Sequence, residues 1–123
     1  MIRWHSRQEL QGTQHTIHYL TDGDTCPVQE FLDALKKSEL GTHKKITNRL
    51  RMLAYGPLPQ NDEFCKELEE DLWELKARPA RVFFFGRGRG LHFCRGYKKK
   101  TDRLDPEEVR RAREMRDGWA AET

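Results

Sequence analysis

The 123-residue sequence has no apolar run close to the ~20 residues that a membrane-spanning helix needs, so no membrane partner is expected. Its first residues, Met1–Ser6, also lack the apolar core of a signal peptide, and we therefore predict a cytoplasmic protein. Only three cysteines are present, Cys26, Cys65 and Cys94, and they include no C-x-x-C pair. This pattern argues against a disulfide scaffold and against a zinc site, so free thiols are expected.

The chain is also poor in hydrophobic residues, which make up 36% of it against 35% charged residues, with a mean hydropathy of -0.94. One domain with a small core is expected. The net charge is only +3, but it is unevenly distributed. Residues 60–75 contain seven acids and one base, and residues 76–103 contain ten bases and one acid. A basic stretch of this kind is typical of proteins that bind phosphates or an acidic partner.

Hydrophobic periodicity predicts two helices after a first short strand. Residues 1–16 are polar and are predicted to be an N-terminal extension to a single domain at 17–119, whose first strand lies around Thr16–Leu20. One helix is predicted after Pro27 and a second after Thr42, which would be its N-cap. Their apolar stripes are Val28, Phe31, Leu32 and Leu35, and Ile46, Leu50, Leu53 and Ala54. The pair is expected to be antiparallel and to pack on a sheet.

The rest of the chain predicts that sheet and a last helix. Leu72–Arg78 alternates, so Trp73, Leu75 and Ala77 are predicted to face the core and Glu74, Lys76 and Arg78 to face outward. Arg81–Phe85 and Leu91–Tyr97 are predicted to pair across the turn Gly86–Gly90. The acidic run Asp62–Asp71 is predicted to be a solvated connection.

A capping box predicts the start of the last helix at Asp105-Pro106-Glu107-Glu108. The stripe of this helix is Val109, Ala112, Met115 and Trp119. Altogether the sequence predicts an α+β fold in which an N-terminal strand and an antiparallel helix pair pack on a mainly antiparallel β-sheet with a C-terminal helix.

Cations and a phenol are expected to converge on the outward face of this sheet. The face would carry Glu74, Lys76, Arg78 and Arg81, followed by Arg95, Tyr97, Lys98, Lys99 and Lys100. Such groups can hold a phosphodiester and offset the negative charge of a pentacoordinate phosphorus. No metal-ligand cluster is visible, so we predict no metal and no other cofactor. Protein cations would take the part that Mg²⁺ plays elsewhere, and cleavage would use the RNA 2′-hydroxyl.

Several of these segments resemble the RelE/HigB superfamily, particularly its phage-derived HigB-like branch. The similarity rests on the order of Leu72-Trp73-Glu74-Leu75-Lys76-Ala77-Arg78, then Arg81-Val82-Phe83-Phe84-Phe85, then Arg95-Gly96-Tyr97-Lys98-Lys99-Lys100-Thr101 before a capped helix. Pro27–Leu32 and Leu50–Gly56 are similar to the helix pair of that branch, so the resemblance covers about Ile17–Trp119.

The resemblance implies a toxin of a type II toxin–antitoxin pair, encoded by a bacterium or a prophage. Such a toxin is an mRNA interferase, an endoribonuclease that cuts mRNA in the ribosomal A site without a metal. Its antitoxin often carries a helix-turn-helix. By position, Arg81 matches the arginine that contacts the scissile phosphate, Lys99 and Lys100 match a pair of lysines, and Tyr97 stands where the family usually has phenylalanine.

The residues implied to be catalytic are Glu74, Lys76, Arg81, Arg95, Tyr97 and Lys99. Further RNA-binding candidates are Arg78, Arg87, Arg89, His92, Lys98 and Lys100. Phe83 and Phe85 share the parity of Arg81 and could stack on a base, although the core is the simpler place for them.

Two departures from the family pattern leave alternatives open. Arg95 stands where many relatives have histidine, and arginine cannot shuttle a proton at neutral pH. His92, Tyr97, Glu74 or a lysine would then move the proton. Lys76 replaces the more common arginine, so a compact ammonium group stands in place of a planar guanidinium that can donate two hydrogen bonds side by side. The alternatives are a catalytically silent relative that binds nucleic acid or protein, and a plain nucleic-acid binder.

Overall fold

The computed structural model describes residues 3–59, 61, 63–100 and 103–119. In chain order the elements are β1 (His5–Gln11), β2 (Thr16–Thr21), α1 (Pro27–Ser38), α2 (Leu40–Tyr55), β3 (Cys65–Glu69), β4 (Leu72–Ala77), β5 (Ala80–Arg87), β6 (Gly90–Lys98) and α3 (Pro106–Asp117). The strands form one sheet in the order β1-β2-β6-β5-β4-β3. The predicted α+β fold is confirmed.

Most strands of the sheet pair antiparallel with a neighbour in sequence. β3, β4, β5 and β6 form a meander, and β1 and β2 form a hairpin. The exception is β2, which pairs parallel with β6 and places Ile17 opposite Leu91. The helix pair α1–α2 lies between these two units in the chain and covers one face of the sheet that they form together.

Both faces of the sheet are buried. On one face, Val82, Phe84 and Phe93 belong to a core that includes α1 and α2 residues. On the other face, Phe83 and Phe85 pack with α3, which contributes Val109, Ala112 and Met115. Alternation along β5 thus sends consecutive phenylalanines into two separate cores.

The prediction that Glu74 and Lys76 face outward into solvent is therefore wrong. Their side-chain parity is as predicted, but they are buried on the face that α3 covers. Phe83 and Phe85 are fully buried in the second core, so base stacking is not open to them in this arrangement. The core alternative for these two rings is confirmed.

The N-terminal segment, predicted to be an extension, contains the edge strand β1 and the buried Trp4. The backbone of Trp4 forms an isolated parallel β-bridge with Trp119, which lies beyond the end of α3. Most β1 side chains are at least partly exposed, so the strand carries no hydrophobic alternation. Its pairing comes from backbone hydrogen bonds to β2, which a hydropathy pattern does not reveal.

The two ends of α2 differ in how well the sequence predicts them. Thr42 is not the cap of α2, because that helix begins at Leu40 with Glu39 as its N-cap, directly after α1. Gly56 ends α2 as predicted. Part of the acidic run forms edge strand β3, while Asp62 lies outside the described residues.

The three cysteines, Cys26, Cys65 and Cys94, are buried free thiols. None of the helices in the described chain has the length and apolarity to span a membrane.

Candidate active site

Three polar side chains on neighbouring strands form one row on the α3 face of the sheet. Lys76 of β4 lies opposite Arg81 of β5, and Arg81 lies opposite Tyr97 of β6. Residues directly opposed on antiparallel strands point to the same face, so the three side chains are neighbours. Glu74 lies on the same face, two residues before Lys76. We call Glu74, Lys76, Arg81 and Tyr97 the polar row.

Three atoms of the polar row are buried without a hydrogen-bond partner. Glu74 exposes 1%, Arg81 5% and Lys76 7% of its surface. Arg81 Nε lies 3.6 Å from Glu74 Oε1, which is too far for a hydrogen bond. Among the described residues, Arg81 Nε, Glu74 Oε2 and the Tyr97 hydroxyl have no hydrogen-bond partner. Buried polar atoms are nearly always paired because their desolvation is costly, so this group is a candidate site.

The position and protonation of Tyr97 follow from its neighbours. Its ring stacks on Phe83, with the ring centroids 5.6 Å apart. Burial raises the pKa of the Tyr97 hydroxyl above its usual value of 10.0, and Glu74 acts in the same direction, while the Asp105 backbone and Arg81 oppose the shift. The phenol therefore keeps its proton at neutral pH.

Tyr97 also lines a cavity of about 580 Å³ between the end of β6 and the start of α3. Among the described residues, four cations line the same cavity, Lys98, Lys99, Lys100 and Arg103, together with Leu104, Asp105, Pro106 and Glu108. We call this cavity the basic cleft. The Lys99 N–H donates to the Pro79 carbonyl at 2.8 Å, which holds the end of β6 against the β4–β5 turn. The polar row and the basic cleft meet at Tyr97.

Arg95 connects the sheet to α3. It lies opposite Phe83 in the register, and its Nε is 2.9 Å from Glu108 Oε2. The Asp105 cap and Pro106 in the first turn of α3 are as predicted, with the Asp105 carboxylate accepting from the Glu107 N–H at 3.0 Å. In the described chain the Glu108 carboxylate pairs with Arg95, so the predicted capping box is not completed. The ion pair gives Arg95 a structural contact that holds the start of α3 over the sheet.

The other predicted RNA-binding cations are dispersed. Arg78 is exposed in the β4–β5 turn, 3.6 Å from the Glu63 carboxylate. Arg87 and Arg89 lie at the opposite end of β5, where Arg87 pairs with Asp71 and Arg89 donates to main-chain carbonyls before β2. Lys98 pairs with Glu39, which separates α1 from α2. Only Lys98 and Lys100 of the six RNA-binding candidates line the cleft.

The last of these candidates, His92, belongs to a packed aromatic cluster. Its Nδ1 lies 2.6 Å from Ser6 Oγ, which accepts from Trp119 Nε1 at 2.8 Å. The imidazole stacks on His18 and Phe85 with centroid distances of 4.5 and 5.2 Å. Burial lowers the pKa of His92 to about 4, and the charges of His18 and Arg87 act in the same direction. His92 is neutral at pH 7 and lies near the start of β6, away from Tyr97 and the polar row at the other end of the strand.

Sequence reasoning missed the groups that complete the cleft. Arg103 and Leu104 precede α3, and the available signal was the helix cap directly after the lysine run. Arg49 of α2 was also missed, although it donates to the Lys76 carbonyl behind the polar row. In the described ranges 3–59, 61, 63–100 and 103–119, no three His, Cys, Asp or Glu side chains are grouped so that they could hold a metal ion.

Residues 30–117 match the family model described as "Phage derived protein Gp49-like (DUF891)". The match covers more than half of the chain and includes the polar row and the basic cleft. No curated protein matches the chain significantly. The Gp49-like family is a RelE/HigB-type toxin family of toxin–antitoxin systems, which implies an antitoxin as partner. The chain belongs to the phage-derived Gp49-like family.

Proposed function

We propose that this chain is a bacterial or prophage-encoded mRNA interferase of the HigB-like branch, a toxin that cuts mRNA in the ribosomal A site. It would act in the cytoplasm and be silenced by its antitoxin. The observation that carries the proposal is the meeting of the polar row and the basic cleft at Tyr97. Buried polar atoms that have no hydrogen-bond partner in the described chain lie there beside a cavity lined by four cations, and this combination suits a bound phosphodiester.

The chemistry requires no group beyond the RNA, the protein and solvent water. The 2′-oxygen attacks the adjacent phosphorus and gives its proton to a solvent water, the bond from phosphorus to the 5′-oxygen breaks, and the 5′-oxygen takes a proton from the protein, which solvent restores. The products are a 2′,3′-cyclic phosphate and a 5′-hydroxyl. Negative charge builds up on the phosphoryl oxygens in between, and nearby cations stabilise it. Arg81 and Lys99 are the cations that we assign to this task.

Tyr97 is the group that we assign to protonate the leaving 5′-oxygen. Its hydroxyl holds a proton at neutral pH, since burial raises its pKa, and the residue lines the cleft. Glu74 is almost fully buried beside Arg81, so it acts as a positioning residue for the guanidinium. Arg95 pairs with Glu108 and contributes by holding α3.

Tyr97→Phe is the most direct test, because it removes only a hydroxyl that lies near the Asp105 backbone and makes no well-aligned hydrogen bond in the described chain. Deleting an unsatisfied buried hydroxyl does not lower stability. We expect an unchanged or higher unfolding temperature and a loss of about 10² or more in cleavage rate on programmed ribosomes, the usual contribution of a positioned acid. Primer extension on mRNA after induction, together with growth arrest, measures the activity.

Two further variants and one control variant complete this experiment. Lys99→Ala removes a cleft cation and is expected to reduce cleavage, as is Arg81→Ala, whose unfolding temperature must be checked because it leaves Glu74 buried without its partner. Arg110→Ala, on the exposed face of α3, is the matched control and should cut like the wild type. A folded wild type that neither stops growth nor cuts mRNA contradicts the proposal.

A catalytically silent binding module is the second candidate. It is favoured by the burial of Glu74, Lys76 and Arg81 and by the pairing of Arg95, in place of histidine, with Glu108. For this candidate, the wild type and Tyr97→Phe would bind ribosomes or RNA equally and neither would cut. A plain nucleic-acid binder would in addition bind RNA without ribosomes and without cleavage.

A further inference from the structure

The exposed face of α2 combines apolar and basic side chains. The large hydrophobic residues that are about half exposed in the described chain all lie on this helix: Leu40 at 48%, Met52 at 50% and Tyr55 at 52%. With 3.6 residues per turn, they share one side of the helix with Lys44 and Arg51. We call these five residues the α2 stripe. A helix of an isolated protein normally turns polar residues to solvent, so this face is suited to a partner.

The C-terminal end of the α2 stripe opens into an apolar groove. The groove has a volume of about 450 Å³ and is lined mainly by Met52, Tyr55, Gly56, Pro57, Pro59 and Phe64. None of the described side chains that line it is charged. Apolar pockets of this kind receive the anchoring side chains of a protein partner.

The charge on α2 has a single sign. The helix contains Lys44, Lys45, Arg49 and Arg51 and no acidic residue. Lys45 and Arg49 donate to the main-chain carbonyls of Arg78 and Glu63, at 3.5 and 3.1 Å. Within the part of the chain that the structure describes, no ion pair involves Lys44 or Arg51. Their charge is therefore available to a partner.

We propose that the α2 stripe and the apolar groove bind an acidic amphipathic segment of the antitoxin. Apolar side chains of that segment enter the groove beside Met52 and Tyr55, and its carboxylates face Lys44 and Arg51. The inference rests on membership of the Gp49-like family, which implies an antitoxin. It does not depend on the nuclease chemistry, since α2 and the polar row lie on opposite faces of the sheet.

An RNA is a poorer match to this surface than a protein segment. Phosphates would contact the cations but leave the proline and methionine walls of the groove exposed to water. A protein segment removes those walls from water, and this apolar burial supplies binding free energy. The basic cleft is lined by four cations and is better suited to RNA.

Isothermal titration of the full chain with the purified antitoxin encoded beside it tests the inference. Met52→Asp and Arg51→Glu each put a negative charge where an acidic partner would dock. We expect each to raise the Kd about tenfold or more, as substitutions at the centre of an interface do. Arg111→Glu, a charge reversal at another exposed position, on α3, is the matched control and should leave the Kd within about twofold.

The outcomes separate this inference from its rivals. Unchanged affinity in Met52→Asp and Arg51→Glu overturns it, and so does an equal loss in Arg111→Glu, which would indicate attraction to net charge alone. A loss of affinity for a single-stranded RNA oligonucleotide but not for the antitoxin also overturns it. Unfolding temperatures confirm that the variants are folded, and toxicity without antitoxin should persist in both, which separates a failed docking surface from a failed nuclease.

Oxidation of methionine gives a direct footprint without any substitution. Met52 is half exposed, whereas Met115 is buried in the second core and serves as the internal reference. Peroxide should convert Met52 to the sulfoxide in the free chain, and the antitoxin should slow that conversion about tenfold or more if it covers the groove. Equal oxidation of Met52 in the free and bound chains overturns the inference.

Discussion

His92 is enclosed by aromatic rings and a second imidazole, and only its neutral form fits this environment. Its pKa is lowered from 6.5 to about 4, mainly by burial. The unfolded chain therefore binds a proton on this residue at a higher pH than the folded chain does. The contribution of neutral His92 to the free energy of unfolding is fully present above a pH of about 6.5 and is lost as the pH falls toward about 4.

We therefore expect acid to destabilise the fold through His92. Its contribution to the free energy of unfolding should fall by about 2 kcal/mol between about pH 8 and about pH 5, from the linkage relation. Denaturant unfolding of the wild type and of His92→Phe measures this, because the variant lacks the titrating group. The NMR titration of the His92 imidazole should give a pKa near 4. An imidazole that titrates near 6.5 would contradict the expectation.

The polar row shows which features of a side chain could be predicted from the sequence. Alternation correctly placed Glu74, Lys76 and Arg81 on one face, because parity along a strand is fixed by backbone geometry. It gave no information about what covers that face. The burial of these charges depends on α3, which lies far along the chain, and a strand pattern cannot report a contact of that kind.

The hairpin of β1 and β2 completes the C-terminal end of α2. The last carbonyls of a helix have no partner within it. Here the Ala54 carbonyl accepts from the N–H groups of Gln14 and His15, and His15 Nδ1 lies 2.7 Å from the Leu53 carbonyl. Gly12, in the same turn, lies so close to Ala54 that a Cβ would be 2.1 Å from its carbonyl oxygen. The turn can pack there only with a glycine at this position.

One substitution, glycine to alanine, should have opposite effects at two positions. Gly12→Ala forces backbone apart and is expected to lower the free energy of unfolding by about 1–3 kcal/mol. Gly41→Ala, in the first turn of α2 with nothing within 4 Å of the new Cβ, is expected to raise it by about 0.5–1 kcal/mol. Chemical denaturation measures both. Equal tolerance at the two positions would show that the hairpin does not pack on α2.

The elements that the sequence did not reveal are the two edge strands. β1 and β3 each have one paired side, and several of their side chains are exposed. Edge strands gain from backbone pairing, and they carry charges that keep other chains from adding to the sheet. Hydropathy therefore describes them as polar connections. The central strands and the three helices bury apolar faces, and their periodicity was sufficient to predict them.

Within the described chain, the acidic and basic segments partly neutralise each other. Asp71 pairs with Arg87, and Glu74 lies 3.6 Å from Arg81. Glu69 of the acidic segment pairs instead with Arg113 of α3, at 2.7 Å. The excess charge of residues 76–103 is thus not presented as one basic face. Part of it is opposed by carboxylates across the sheet, and four of its cations lie together in the basic cleft.

The salt dependence of RNA binding should report this distribution. For a single strand, the slope of log K against log salt is about -0.7 for each phosphate contacted. Contacts confined to the four cleft cations give a slope of about -3, whereas contacts to all ten bases of residues 76–103 would give about -7. Fluorescence anisotropy of a single-stranded RNA with the Tyr97→Phe variant measures the slope without cleavage.

Lys99→Ala and Lys100→Ala should each reduce the magnitude of this slope by about 0.7, and Arg89→Ala, at the far end of the sheet, should leave it unchanged. A slope near -7, or an equal effect of Arg89→Ala, would place the RNA along the whole basic segment.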